Sequence, residues 1–262
     1  MASVIPTVAS ATHAHPSIRA IEPKDLRDAL IKGLEDFCAM PTYAIFIVAI
    51  YPIVGLVMIR LTFGYDMLPL VFPLMAGFPL IGPFAAIGMY ELSRRREQGL
   101  GVSWNALKDF HSTCIWGIIA LGAMLVAMFL AWLGAALLIY RIAFDDWVPP
   151  SIGVFASQVF TTLPGWTLIV VGCGVGFVFA VVAFAISVVS FPMLLDRDVG
   201  PVEAMLTSVN AVRANPKTMA LWGLIVVGSL VIGMLPFFIG LALVLPVLGH
   251  ATWHLYRKVV VL

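Results

Sequence analysis

A stretch of thirty-two residues without a charged side chain, residues 218–249, constrains the fold of this chain more than any other feature. A membrane-spanning helix needs about 20 consecutive apolar residues. The stretch is therefore too long for one span and slightly short for two full ones. Pro236 lies near its midpoint, lacks a backbone donor and disfavours helix at Leu235. We predict two short spans that enter and leave on the same side of a membrane.

The composition indicates an all-α integral membrane protein. Hydrophobic residues make up 61% of the chain and charged residues 11%, whereas soluble domains contain about 25% charged residues. The apolar runs are long and do not alternate, which favours helices over a β-barrel. The net charge of +1 predicts no nucleic-acid partner. The three cysteines lie far apart, and we predict neither disulfides nor a cofactor.

Six spans are predicted, over residues 43–63, 67–90, 114–140 and 165–190 and the two halves of 218–249. The second span contains four prolines, which predicts a kinked and closely packed helix: Pro69, Pro73, Pro79 and Pro83. Residues 1–20 are expected to be a disordered tail, and residues 21–262 a single six-span membrane domain.

Three surface helices are predicted, amphipathic ones over residues 24–40 and 102–112 and a polar-faced one over residues 201–213. The first has an apolar stripe with helical spacing, made of Leu26, Ala29, Leu30, Leu34 and Phe37. Its other face is expected to meet water, with Asp25, Arg27, Asp28, Lys32, Glu35 and Asp36.

The predicted parts recur in three units, over residues 24–97, 102–198 and 199–258, each a surface helix followed by a hairpin of two spans. Ala29 precedes Pro41 by twelve residues, as Ala204 precedes Pro216. These spacings indicate a threefold internal repeat. The alternative is that the order of parts is one that any polytopic membrane chain shows.

The distribution of basic residues predicts the orientation. In the six-span topology, thirteen of the fifteen Lys and Arg residues fall on one side, and only Arg60 and Arg141 fall on the other. The positive-inside rule places the thirteen in the cytoplasm, with both termini. No Asp, Glu, Lys or Arg except Arg60 lies within a predicted span, which disfavours ion-coupled transport.

The charged groups where the spans leave the membrane are candidates for binding a partner or lipid. They are Glu91, Arg94, Arg95, Arg96, Asp196, Arg197, Asp198 and His254. Their alternative role is as stop-transfer charge in contact with lipid headgroups.

His250 and His254 are four residues apart and share a helix face, as metal or haem ligands can. They are weak candidates because few further ligands are present, and they could equally anchor the helix end at headgroup depth. Glu91 and Arg95 with these histidines faintly resemble the prenyl-protein proteases of the membrane, but the paired glutamate of that family is replaced by Tyr90-Glu91. We therefore predict no catalytic residue and no metal site.

Three segments at the predicted cytoplasmic exits, GPFAAIGMYELSRRREQG at 82–99, SVVSFPMLLDRDV at 187–199 and GHATWHLYR at 249–257, resemble a family of uncharacterised proteobacterial integral membrane proteins. That family is catalogued as a domain of unknown function. The resemblance extends from residue 18 to the C-terminus and implies a bacterial inner-membrane protein with six spans. It implies no activity.

The leading functional prediction is a non-enzymatic scaffold or accessory subunit, whose cytoplasmic face binds a partner or lipid. The first alternative is a permease for a neutral or amphipathic solute, with the proline-rich second span as its moving part. The second is a redox accessory protein that binds haem or a metal through His250 and His254.

Overall fold

The structure is a computed structural model that describes residues 17–41, 68–77, 82–101, 112–145, 147–235 and 240–261. The predicted first span and second surface helix, over residues 43–63 and 102–112, lie outside the described residues, except that Ser112 begins a later helix. The described elements are helical apart from one pair of two-residue strands, which confirms the all-α prediction. In chain order they are β1 (Ser17–Ile18), α1 (Pro23–Ala39), a 3₁₀ turn (Leu68–Leu70), α2 (Val71–Gly77), α3 (Gly82–Ala85), α4 (Ile87–Glu97), α5 (Ser112–Phe144), α6 (Ile152–Thr161), α7 (Leu163–Ser187), α8 (Ser190–Asp196), α9 (Pro201–Ala214), α10 (Pro216–Met234), α11 (Leu241–Val259) and β2 (Val260–Val261).

Within the described ranges, three helical stretches are long and apolar enough to cross a membrane: Cys114–Phe144, Leu163–Asp196 and Pro216–Met234. They correspond to the predicted third, fourth and fifth spans. The predicted fourth span is continued by α8 after a turn at Val188 and Val189. The connection before it contains the ten-residue helix α6.

The predicted second span is not one helix in its described parts. It consists of the 3₁₀ turn, α2, α3 and α4, as expected for a segment in which prolines remove backbone donors. The carbonyl oxygen of Pro73 accepts a hydrogen bond from Trp132 Nε1 on α5, at 2.9 Å. A side chain from another span thus satisfies a carbonyl of this short helix.

Two surface helices end in corners of the same geometry. Met40 after α1 has φ −135° and ψ 45°, and Asn215 after α9 has φ −129° and ψ 51°. In both corners the backbone N–H contacts the carbonyls three and four residues earlier, and a proline follows. The buried positions also correspond at a constant offset: Ala29, Gly33, Asp36 and Met40 in the first, and Ala204, Ser208, Ala211 and Asn215 in the second.

Three helices, α4, α8 and α11, contact one another and form the centre of the core. We call them the exit helices, because each carries one of the charged segments predicted to leave the membrane. Among their fully buried side chains are Met89, Phe191, Trp253 and Tyr256. The surface helices pack around this centre, α1 against α11 and α9 against α7 and α8.

The two ends of the described chain meet in an antiparallel strand pair. Ser17 pairs with Val261 and Ile18 with Val260. The Asn215 side chain extends this contact by accepting a hydrogen bond from the Ile21 N–H at 2.8 Å and donating to the Arg19 carbonyl at 3.1 Å. The expectation of a disordered tail is therefore wrong at its last residues, because backbone hydrogen bonds to the C-terminal strand order them.

The buried face of α1 differs from the predicted one. Asp25 and Asp36, expected to meet water, are buried, whereas Leu34, expected in the apolar stripe, is 48% exposed. The reason is that α1 packs its narrow side, with Ala29 and Gly33, against α11. A close helix crossing selects small residues, and hydrophobicity alone does not identify that face.

Candidate functional site

A polar cluster lies at the junction of α1, α4 and α11. We call it the Asp36 cluster and define it by five residues: Asp36 from α1, Ser93 and Arg96 from α4, and His250 and His254 from α11. Gly33 lies one turn before Asp36 and directly against the backbone of Ala251 and Val247. This close crossing brings the short Asp36 side chain within reach of the other two helices.

The Asp36 carboxylate accepts hydrogen bonds from three side chains. Ser93 Oγ donates to Oδ2 at 2.5 Å, and His254 Nε2 donates to the same oxygen at 2.8 Å. The Arg96 guanidinium donates to Oδ1. Burial alone would raise the pKa of Asp36, but the hydrogen bonds from His254, Ser93 and Arg96 outweigh it and lower this pKa to about 2. Asp36 is therefore an anion at neutral pH, although only 3% of it is exposed.

His250 has a defined tautomer in this cluster. Its Nδ1 lies 2.8 Å from Ser93 Oγ. Because the single hydroxyl hydrogen of Ser93 is donated to the Asp36 anion, Nδ1 must carry a hydrogen and donate it to Ser93. The other ring nitrogen, Nε2, then has a free lone pair; it is buried, and none of the described residues forms a hydrogen bond with it.

The buried His250 ring is neutral. Burial lowers its pKa to about 4 from the ordinary 6.5; the Asp36 carboxylate and the Met89 carbonyl oppose this shift, while His254 and Arg96 add to it. As the pH falls below 6.5, the unfolded chain therefore takes up a proton at this position while the folded protein does not.

We expect the free energy of unfolding to fall by about 3 kcal/mol between pH 6.5 and pH 4 because of His250. In His250→Asn, the amide N–H₂ replaces Nδ1 as the donor to Ser93 but does not titrate, so this variant should lose much less stability over the same range. Thermal unfolding of both proteins in detergent, followed by circular dichroism at several pH values, measures the difference. Equal losses in the two proteins would contradict the assignment.

Glu91 forms a second buried group with two neighbouring arginines on α4. Arg94 binds it through Nε and Nη2 at 2.7 and 2.9 Å, and Arg95 Nε donates to Oε1 at 2.6 Å. Glu91 is 1% exposed. A bidentate pair of this kind is geometrically specific and fixes the end of α4.

A third group joins α8 to α11 around Tyr256. The Tyr256 hydroxyl donates to Asp196 Oδ2 at 2.8 Å and accepts from Arg197 Nε at 3.2 Å. Arg257 connects Asp196 to Glu97 on α4, with distances of 3.3 and 3.2 Å. Burial and the Asp196 carboxylate raise the pKa of Tyr256. The tyrosine therefore stays protonated and acts as a donor.

The structure places most of the predicted candidate residues in these three polar groups, where they bind other residues of the protein. Glu91, Arg94 and Arg95 pair within α4; Arg96 and His254 bind Asp36; Asp196 and Arg197 bind Tyr256. Asp198 does not join these groups and is exposed.

Sequence reasoning missed Asp36, Ser93, Glu97 and Tyr256 as members of these groups. The sequence did contain one signal for Asp36. Asp25 and Asp36 are eleven residues apart, which is three helical turns, so both lie on the face of α1 that carries Ala29. Ser93 and Tyr256 carried none, since their partners lie more than fifty residues away in sequence.

His250 and His254 do not form a metal site with other described residues. His254 binds Asp36, whereas His250 binds Ser93. In the described part of the chain, no group of three or more His, Cys, Asp and Glu side chains is placed to hold a metal ion.

An apolar groove with a volume of about 220 Å³ lies apart from these polar groups, between α2, α5 and α7. Its lining residues are apolar or carry a thiol: Phe72, Ala76, Gly77, Trp132, Cys173, Gly176, Phe177 and Ala180. Gly77 and Gly176 both lie directly against the Trp132 ring, where a β-carbon would be 2.5 and 2.8 Å from its atoms. Gly172 and Gly174, on the same helix as Gly176, have no such contact with another described residue.

Residues 71–196 match a protein family described as "Predicted integral membrane protein (DUF2189)". The match confirms the resemblance over this range, which contains the first predicted exit segment and most of the second; the third lies beyond it. No curated protein and no solved structure matches the chain.

Proposed function

We propose, from the premise that residues 71–196 belong to a family of predicted integral membrane proteins of unknown function, that the chain is a non-enzymatic scaffold or accessory subunit of the bacterial inner membrane. In this proposal six spans form three hairpins, and both termini lie in the cytoplasm. The thirteen basic residues on one side of the predicted topology support this orientation. The equal geometry of the corners at Met40 and Asn215 supports the repeat of units.

The observation that carries the scaffold proposal is that polar side chains join the three exit helices and α1. α8 and α11 are joined through Tyr256, α4 and α11 through the partly exposed pair of Arg257 and Glu97, and α1 is joined to α4 and α11 through the buried Asp36. A hydrogen-bonded network of this kind holds a defined arrangement of helices. Such an arrangement suits a docking platform on the cytoplasmic face.

The Asp36 cluster is more polar than the architecture demands. The equivalent position in the second corner is Ala211, which is fully buried without any charged partner. An apolar residue therefore suffices to pack such a corner. Since burying charges costs free energy, we attribute the charges at Asp36 to fixing the orientation of α1 against the exit helices.

The structure changes which candidate residues would contact a partner. Glu91 and Asp196 hold the exits in place, because both Glu91 oxygens and Asp196 Oδ2 accept hydrogen bonds within the protein. The outward groups are Asp198, which is exposed, and the side chains of Arg96 and Arg257, which are 42% and 38% exposed. We propose these three as contact residues on the cytoplasmic face.

Cross-linking in native membranes, followed by purification and mass spectrometry, tests the scaffold proposal. We expect a defined protein partner with the parent chain and at least ten-fold less of it with Asp198→Lys. The matched control is Asp145→Lys, a charge reversal at an exposed residue on the opposite side of the predicted topology, which should leave recovery unchanged. Recovery of the chain without a partner, or equal recovery with both variants, would contradict the proposal.

The second candidate function is a permease for a neutral or amphipathic solute. One observation favours it, namely that the proline-interrupted second span lines the apolar groove through Phe72, Ala76 and Gly77. A permease should catalyse flux of such a solute into vesicles containing the purified protein. A scaffold should not.

A further inference from the structure

The apolar groove lies at the hydrocarbon depth of two candidate spans. One wall is the face of α7 that carries Cys173, Gly176, Phe177 and Ala180 at helical spacing. Trp132, on α5, is the opposite wall. Both helices belong to stretches that are long and apolar enough to cross a membrane. In a membrane that both stretches cross, the groove faces lipid chains and not water.

The lining determines what can occupy the groove. None of its side chains carries a charge, and the indole N–H of Trp132 already donates to the Pro73 carbonyl. An occupant thus gains no hydrogen bond or ion pair from these side chains, which excludes polar solutes as well-bound ligands. Dispersion contacts remain, and they favour a slim apolar chain that follows the small residues of α2 and α7.

The size and opening of the groove indicate which molecule supplies the apolar chain that would occupy it. Its volume of about 220 Å³ exceeds the roughly 150 Å³ of an apolar cavity that holds a benzene molecule. Phe72 and Phe177, at its edges, are 63% and 69% exposed, so the groove is continuous with the lipid-facing surface. A bilayer lipid can therefore insert part of an acyl chain without leaving its leaflet.

We infer that the groove between α2, α5 and α7 is a binding site for one acyl chain of a membrane lipid. The acyl chain passes over Gly176 and Ala180, beside the Trp132 side chain, which is itself only 4% exposed. The two phenylalanines flank it. This site is independent of the proposed cytoplasmic platform, since it shares no residue with the exit helices.

Quenching by lipids brominated on their acyl chains tests this inference. The full-length protein is reconstituted into vesicles of brominated phosphatidylcholine, and the contribution of Trp132 is obtained as the difference in fluorescence between the parent and Trp132→Phe. We expect at least half of the Trp132 emission to be quenched. In Ala180→Phe, where the new ring fills the groove, this quenching should fall at least two-fold. In each variant, the contribution of Trp132 is likewise obtained by subtracting the fluorescence of the same variant that also carries Trp132→Phe.

Two further variants make the test specific. Val181→Phe adds the same ring at an exposed neighbour that does not line the groove, and it should leave the quenching of Trp132 unchanged. Ala76→Leu fills the groove from α2 and should reproduce the effect of Ala180→Phe if that variant folds poorly. Absence of Trp132 quenching in the parent, or equal quenching in all variants, would overturn the inference.

Discussion

Replacing Gly33 with alanine should lower the free energy of unfolding by at least about 3 kcal/mol, the upper end of the usual range for overpacking. A β-carbon at this position would lie 2.7 Å from the backbone nitrogen of Ala251 and 2.8 Å from the Val247 carbonyl oxygen. Both atoms belong to the backbone of α11, so no side-chain rotation relieves the overlap. The helices α1 and α11 must separate. The midpoint of thermal unfolding in detergent measures the loss.

The matched control is Gly134→Ala, in the middle of α5. No atom outside the local helix lies within 4 Å of a β-carbon there. Since alanine is the better helix former by about 1 kcal/mol, this variant should be as stable as the parent or more so. Equal midpoints for Gly33→Ala and the parent would show that α1 does not cross α11 at this distance.

Asp36→Asn has the second largest expected effect, a loss of about 3 kcal/mol. An amide has one oxygen, so its N–H₂ group must face either the Arg96 guanidinium or the donors Ser93 and His254. In both orientations a donor meets a donor. The value is at the lower end for a broken buried ion pair, because the 42% exposed Arg96 side chain can regain water. Denaturation in detergent at neutral pH measures it.

Asp198→Asn is the control for this variant. It makes the same chemical change at an exposed carboxylate and should alter stability by no more than about 0.5 kcal/mol. If both variants were equally stable, the Asp36 cluster would contribute nothing to holding α1 in place. If both lost stability equally, the loss would come from net charge and not from the hydrogen bonds of Asp36.

The class of the protein and three of its spans could be predicted from the sequence because they depend on local properties. The stretches Cys114–Phe144, Leu163–Asp196 and Pro216–Met234 are each long and apolar enough to cross a membrane, and such a run forms a helix in lipid whatever its neighbours are. The surface helix that begins at Pro23 was predictable for the same reason, since its period and its proline are contained in the helix itself.

The buried polar site could be predicted only in part. The charged residues of the exits were identified, because charges next to long apolar runs are conspicuous. Their roles were not, because Asp36 acquires its partners only through a helix crossing that depends on Gly33. Hydrophobicity assigned Leu34 to the inside and Asp36 to the outside. Close packing reversed both.

The long sequence separation between α1 and α11 affects how the protein can be made. The main partner of α1 is α11, and β1 pairs with β2, Val260 and Val261. Two hundred residues separate the two helices; at about 5–20 residues per second, a ribosome needs roughly 10–40 s to add them. Throughout this time the Asp36 side of α1 has no finished counterpart. Synthesis of α11 is therefore the event that completes this contact, and a translation product interrupted before α11 would present an open α1 surface to the proteases of the cell.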